Sequence, residues 1–182
     1  MQRKIFIGID LPQAVKKRLM QKIEKWKDLP VRWSREENLH ITLSFLGHVD
    51  DEMLSNICEK VCNAVEEIDI FDMDMSKIEL GPEGGKDAKM FWFSGEASDE
   101  LKKLQSSIER ELGFFHEDKK VFRPHITLGR IKQYGWQRLK EIPEIQEDFH
   151  VSVPVESVEI IESTMLDGKR KFMVIESCPL KY

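Results

Sequence analysis

The chain carries one tetrapeptide twice, His40-Ile41-Thr42-Leu43 and His125-Ile126-Thr127-Leu128, 85 positions apart. Only three threonines occur in 182 residues, and two of them stand two places after a histidine. Coincidence would produce that with a probability of about 0.3%. Residues two apart on a strand project from the same face, so each histidine points with its threonine. Leu39, Ile41, Leu43 and Phe45 in the first copy, and Phe122, Ile126 and Leu128 in the second, then form an apolar face on the other parity. Two such strands side by side would bring two imidazoles into one cleft. Because imidazole titrates near about 6.5, one ring can accept a proton while the other gives one. The threonine hydroxyls add uncharged donors for oxygens on which negative charge builds. A phosphodiester suits this set of groups. A carboxylic ester suits it less, since there is no G-x-S-x-G and no cysteine close in sequence to a histidine.

Other combinations carry less. His150-Val151-Ser152-Val153 also has a hydroxyl two places after a histidine, but one such match arises by chance and reads as sheet structure. A zinc site from His40, His48 and His125 is disfavoured because Gly47 interrupts the strand before His48 and no carboxylate motif supplies a further ligand. Cys58 and Cys62, four apart on a helix, lack an adjoining third ligand and read as packing residues. The three cysteines, with Cys178, cannot all pair and form no C-x-x-C. Neither a disulfide framework nor a metal site is indicated, and a reducing compartment fits best. No metal or cofactor is expected.

The elements that must position the two motifs follow from periodicity. Ile5, Ile7 and Ile9 alternate on an opening strand, Lys4 to Leu11. Pro12 then opens a helix to about Lys27, with Val15, Leu19, Ile23 and Trp26 on one side. A second helix is expected over Asp51 to Ile68. A third should run from Ser98 or Asp99 to Leu112, capped at its start and stopped by Gly113. Strands are expected over 39–46, 71–80, 89–96, 122–131, 151–162 and 170–177, with Gly81 to Gly85 a hairpin connection rather than a phosphate cradle. The mixture lacks strict β-α-β alternation, which argues for α+β with largely antiparallel sheets.

Composition bounds the rest. A chain of 182 residues makes one compact domain, here two lobes of one motif each, and 41% hydrophobic with 34% charged residues argues against disorder. The net charge of −5 excludes sequence-blind binding to long nucleic acid, so any such contact should be local. The opening apolar run is broken by Asp10, too soon for a signal peptide, and no segment is long enough to span a bilayer. A cytoplasmic protein, without membrane contact and monomeric, is expected.

The segments N-L-H-I-T-L-S-F-L-G (Asn38 to Gly47) and F-R-P-H-I-T-L-G-R (Phe122 to Arg130) resemble the two-histidine (2H) phosphoesterase superfamily. The resemblance is nearest to its RNA 2′,3′-cyclic phosphodiesterases, also called LigT-like or 2′-5′ RNA ligase-like proteins, and it spans most of the chain. It implies a bilobal α+β fold with pseudo-twofold symmetry, antiparallel sheets around a central cleft and helices outside. It also implies metal-free hydrolysis of RNA ends bearing a 2′,3′-cyclic phosphate, or of small cyclic nucleotides, to a 2′-phosphomonoester. In that reading His40 is the proton donor, His125 the proton acceptor, and Thr42 and Thr127 bind phosphate. Arg130 matches a basic position that follows the second motif. Strand parity puts Arg130 opposite the His-Thr face, yet Gly129 can re-aim it. Arg123 shares the parity of His125 and is the second substrate-binding candidate. Trp33 or Phe45 can stack a base, though an aromatic beside a strand is more often core. Alternatives are a non-catalytic nucleotide- or RNA-binding module on the same scaffold, a small cyclic-phosphate diesterase, or a 2′-5′ ligase running the step backwards.

Overall fold

The computed structural model describes residues 1–113 and 122–182. Their strands are β1 (Gln2–Asp10), β2 (Val31–Trp33), β3 (His40–Asp50), β4 (Phe71–Gly81), β5 (Met90–Gly95), β6 (His125–Ile131), β7 (Gln146–Val155), β8 (Ser157–Leu166) and β9 (Lys169–Pro179). The helices are α1 (Gln13–Ile23), α2 (Asp51–Val65), α3 (Asp99–Leu112) and the short α4 (Gln133–Gln137). The strands form one antiparallel sheet in the order β7-β4-β5-β6-β3-β1-β8-β9, with β2 beside β6. The fold is α+β.

The two motif strands are the centre of this order, and the halves on either side repeat a pattern. In the first half β1 leads through α1 to β3; in the second β5 leads through α3 to β6, and both strand pairs are antiparallel. Each helix then packs across onto the other half. Lys22 of α1 and Lys25 in the tight turn that follows it reach Glu147 on β7, while Gln105 of α3 donates to the Leu43 carbonyl of β3 at 3.2 Å and Ser107 to the Ala64 carbonyl of α2 at 2.8 Å. This exchange binds the halves together through a shared core. Leu19, Ile41, Leu101, Leu104, Ile108, Ile126 and Leu128 are fully buried within it. Burying each such side chain stabilises the fold by about 1.5–3 kcal/mol.

Local chemistry explains the ends of α3. Ser98 accepts a hydrogen bond from the Leu101 amide at 3.2 Å, and Gly113 adopts the left-handed conformation, φ 75°, that terminates the helix. The expected helix from Pro12 is shorter, because Pro12 caps it from outside and its last turn tightens over 24–26. The single strand expected over 151–162 is two: β7, the edge strand of one half, and β8, which lies between β1 and β9 in the other. Its continuous β-branched pattern concealed the break at Glu156.

The cysteines require a further correction. Cys62 on α2 is bonded to Cys178 on β9, and Cys58 is the free thiol. The packing of α2 against β9 brings together residues 116 apart in sequence, a separation for which spacing offers no signal. The cysteine count therefore does not indicate a reducing compartment. Among the described residues no helix is long and apolar enough to cross a membrane.

Gly8 marks the closest approach of β1 to the first motif. A Cβ there would lie 2.6 Å from the Ile41 carbonyl oxygen and 3.5 Å from the His40 ring. Gly8→Ala is expected to lower stability by about 1–3 kcal/mol, because backbone cannot yield as a side chain does. Urea unfolding should show a lower midpoint at unchanged slope; an unchanged midpoint would contradict the close approach.

Candidate active site

β3 and β6 pair at one position, Ile41 opposite Ile126, both fully buried. Antiparallel geometry then sets His40 beside Thr127 and Thr42 beside His125 as the flanking positions. The predicted shared face of each His-Thr pair is present: all four residues are partly exposed while Ile41, Leu43, Ile126 and Leu128 are buried.

Both imidazoles are held in one way. His40 Nδ1 lies 2.7 Å from the Asn38 carbonyl oxygen and His125 Nδ1 lies 2.9 Å from that of Arg123, in each case two residues upstream. A carbonyl only accepts, so Nδ1–H donates and Nε2 is left to exchange protons. Sequence reading missed these two carbonyls, although each occupies the same place relative to its motif. The threonines differ. Thr42 Oγ1 lies 2.9 Å from His40 Nε2, whereas the Thr127 hydroxyl faces the Met90 sulfur at 3.9 Å. Each ring also has its own wall. His40 stands against Phe6 and edge-on to Phe172, with centroids at 4.7 and 5.0 Å, and His125 stacks on Trp92 at 4.1 Å.

This packing sets the electrostatics. Burial is the largest influence on both histidines and pushes both pKa values below the ordinary imidazole value, since it disfavours the charged ring. The Asn38 and Arg123 carbonyls oppose that shift. Asp10, in register with His40, raises its pKa, while the Lys16 ammonium, bonded to Asp10 at 2.7 Å, lowers it.

A register shift follows each motif, and each has the same form. Gly8 pairs with Thr42 and Ile7 with Ser44, so Leu43 is the extra residue; Trp92 pairs with Thr127 and Phe91 with Gly129, so Leu128 is extra. A bulge inverts the parity beyond it. Arg130 is thereby brought level with Met90, the residue that meets Thr127, and with Arg32 on β2. Simple alternation pointed Arg130 away; the bulge returns it to the motif face, as Gly129 allowed. Phe45 is the corresponding residue of the first copy. It was expected in the apolar face and is instead 72% exposed, level with Phe6.

The remaining candidates divide. Arg123 is engaged by Glu79, whose carboxylate also accepts from Ser94 at 2.5 Å, so its charge is already partnered. Trp33 packs edge-on to Phe91 at 4.9 Å and belongs to the core. His150 is exposed on β7, three strands from β6 and so about 14 Å away. His48 is level with Lys4 toward the far end of β3. Among the described residues no three His, Cys, Asp or Glu side chains are grouped closely enough to hold a metal ion.

With this geometry in view, the relatives are informative. Residues 11–165 match the family model described as the 2′-5′ RNA ligase superfamily, and the chain belongs to that family. It is 34% identical over 185 residues to a Thermotoga maritima protein named RNA 2′,3′-cyclic phosphodiesterase, covering 95% of this chain and 93% of that one. The fold is that of the Thermus thermophilus protein TT0787, TM-score 0.78 at 22% identity over 97% of each chain. It is also that of E. coli LigT complexed with phosphate, TM-score 0.74 at 19% identity over 100% of this chain and 99% of that one.

Because burial favours the neutral rings, both histidines should titrate below the ordinary imidazole value in the free protein. Proton NMR of the imidazole signals, assigned with His40→Gln and His125→Gln, measures this directly. Either ring titrating above the ordinary value would contradict the account of the site.

Proposed function

We propose that the protein hydrolyses the terminal 2′,3′-cyclic phosphate of RNA to a 2′-phosphomonoester, as a single chain and without a metal ion. The observation that carries this reading is the pair of imidazoles flanking Ile41–Ile126, each with Nδ1 fixed by a carbonyl, which leaves Nε2 as the nitrogen that exchanges protons. The activity for which the Thermotoga maritima relative is named supports it. Neither half carries both histidines, so the whole chain is the functional unit.

In the reaction His125 Nε2 takes a proton from water as its oxygen bonds to phosphorus. The bond from phosphorus to O3′ breaks, and His40, protonated beside the bound anionic phosphate, delivers its Nε2 proton to the departing oxygen. One proton enters the protein and one leaves, so the pair ends with its protonation exchanged. Thr42 and Thr127 donate to the non-bridging oxygens, where charge accumulates. Arg130 supplies the positive charge on that face. Arg123, held by Glu79, acts through its carbonyl, which fixes the tautomer of His125.

The decisive assay incubates EDTA-treated protein with a cyclic-ended oligoribonucleotide and locates the product phosphate by 31P NMR. A 2′-phosphomonoester is expected; no turnover, or turnover only after metal is added, would overturn the reading. His40→Ala and His125→Ala should each lower kcat by about 10²–10⁴, and the double variant should fall far short of the product of the two losses. His150→Ala should retain activity. An anionic phosphate raises the pKa of a neighbouring imidazolium, so the alkaline limb of the kcat profile should lie above that of kcat/KM. The limbs belong to the pair rather than to either ring.

A further inference from the structure

The two halves differ sharply in what stands beside each motif threonine. Gly8 of β1 lies opposite Thr42, and Trp92 of β5 lies opposite Thr127. A position without a side chain in the first half thus carries the bulkiest one in the second. Trp92 is buried, and its benzo ring lies over the Gly81 backbone, where a Cβ would come within 2.3 Å of Cδ2 and Cε3. Its indole N–H meets no acceptor among the described residues, so packing rather than a hydrogen bond places the ring. What it packs on is His125, with centroids 4.1 Å apart and planes 24° from parallel. The rings around His40 stand further off and more steeply, Phe6 at 4.7 Å and 34° and Phe172 at 5.0 Å and 85°.

A base in this reaction starts neutral and becomes a cation as it takes the proton of water. Much of what surrounds His125 opposes that change. Burial disfavours the charged ring, and so does the Arg123 guanidinium on its own side of the site. Glu79 on β4 is engaged by that guanidinium, Ser94 on β5 is uncharged and donates to Glu79, and His40 on β3 repels the imidazolium whenever it is itself protonated. Two groups favour the cation: the Arg123 carbonyl, bonded at Nδ1, and the face of Trp92. An aromatic face carries negative potential, strongest for tryptophan, and attracts a cation within about 6 Å of its centroid, more so where water is excluded. Charge on His125 grows between the ground state and the transition state, so this attraction lowers the barrier instead of only tightening binding.

We propose that Trp92 is a positioning residue for His125, whose indole face holds the imidazole and stabilises the imidazolium formed as Nε2 takes the proton from water. The matching place beside His40 is Gly8, which offers no such face, so His40 lacks this support for its charge and gives its proton up more readily. A tryptophan exchanged for a glycine thus divides two like histidines into base and acid. The proposal rests on the phosphodiesterase reading for the source of the proton, whereas the contact itself is tested in the free protein.

A protonated imidazole quenches the emission of an indole that it touches, and a neutral one does so far less. Tryptophan fluorescence of the free protein should therefore fall as the pH is lowered through the titration of His125, with the midpoint that proton NMR gives for that ring. The step should persist in His40→Gln and vanish in His125→Gln and in Trp92→Phe. No step in the unaltered protein, or one that survives in His125→Gln, would overturn the proposal. The second measurement compares Trp92→Leu, which keeps an apolar wall without a π face, with Trp92→Phe, which keeps a weaker face. Trp92→Leu should lower kcat by about 2–30-fold with little change in KM, and should carry the acid limb of kcat/KM and the NMR titration of His125 to lower pH. Trp92→Phe should fall between it and the unaltered protein. An unmoved acid limb, or equal losses in the two variants, would overturn the proposal, because a tryptophan that only fills space gives that result. If no cyclic-ended substrate is turned over, the phosphodiesterase reading fails, while the fluorescence and NMR titrations still decide whether Trp92 supports the charge on His125.

Discussion

The two halves of the sheet meet where Ile41 faces Ile126, and the chemistry depends on that one buried pair. Backbone pairing at this position puts each histidine diagonally across from the other and next to the other strand's threonine. Strand period determines which face they share, and the crossed helices α1 and α3 keep the two strands in place by packing each on the opposite half. A shift of β3 against β6 by one residue would turn one His-Thr pair away from the other. The fully buried Ile-Ile pair opposes such a shift, since it would expose one of the two side chains.

On this symmetric frame the environments differ. His40 has Thr42 at its Nε2, phenylalanine rings on its flanks and the Asp10–Lys16 pair behind it; His125 has Trp92 stacked on it and the Arg123–Glu79 pair alongside. The bulges amplify the difference. Both copies place an extra leucine after the threonine, and both return the residue two places beyond that leucine to the motif face. In one half that residue is Phe45 and in the other Arg130. An aromatic side and a cationic side suit a ligand that is a nucleoside at one end and a phosphate at the other.

Much of this was legible in the sequence because it follows from short-range rules. The repeated tetrapeptide, the parity of His with Thr, the cap at Ser98 and the stop at Gly113 all depend on neighbours a few residues away, and all are present. What escaped depends on partners far along the chain. Phe45 was assigned to the core because alternation has no way to register a bulge that exists only against β1. Arg130 was left ambiguous for the same reason, with Gly129 the sole hint. The Cys62–Cys178 bond needs α2 laid against β9, and the Glu79 that pairs with Arg123 lies 44 residues earlier. The carbonyls of Asn38 and Arg123, by contrast, lie two residues from the histidines; their role was hidden because backbone groups leave no mark in a sequence.

The central claim is that the two histidines, alike in sequence and in their carbonyl partners, divide the proton transfers, His40 serving the leaving oxygen and His125 the water. A cyclic-ended RNA with sulfur in place of the bridging O3′ tests this most directly, because a thiol ionises near about 8.5 and a thiolate departs without needing a proton. His40→Ala should then recover to within about tenfold of the unaltered protein on the sulfur substrate, while His125→Ala stays impaired by about 10²–10⁴. Rescue of His125→Ala instead, or equal impairment of both variants, would contradict the assignment.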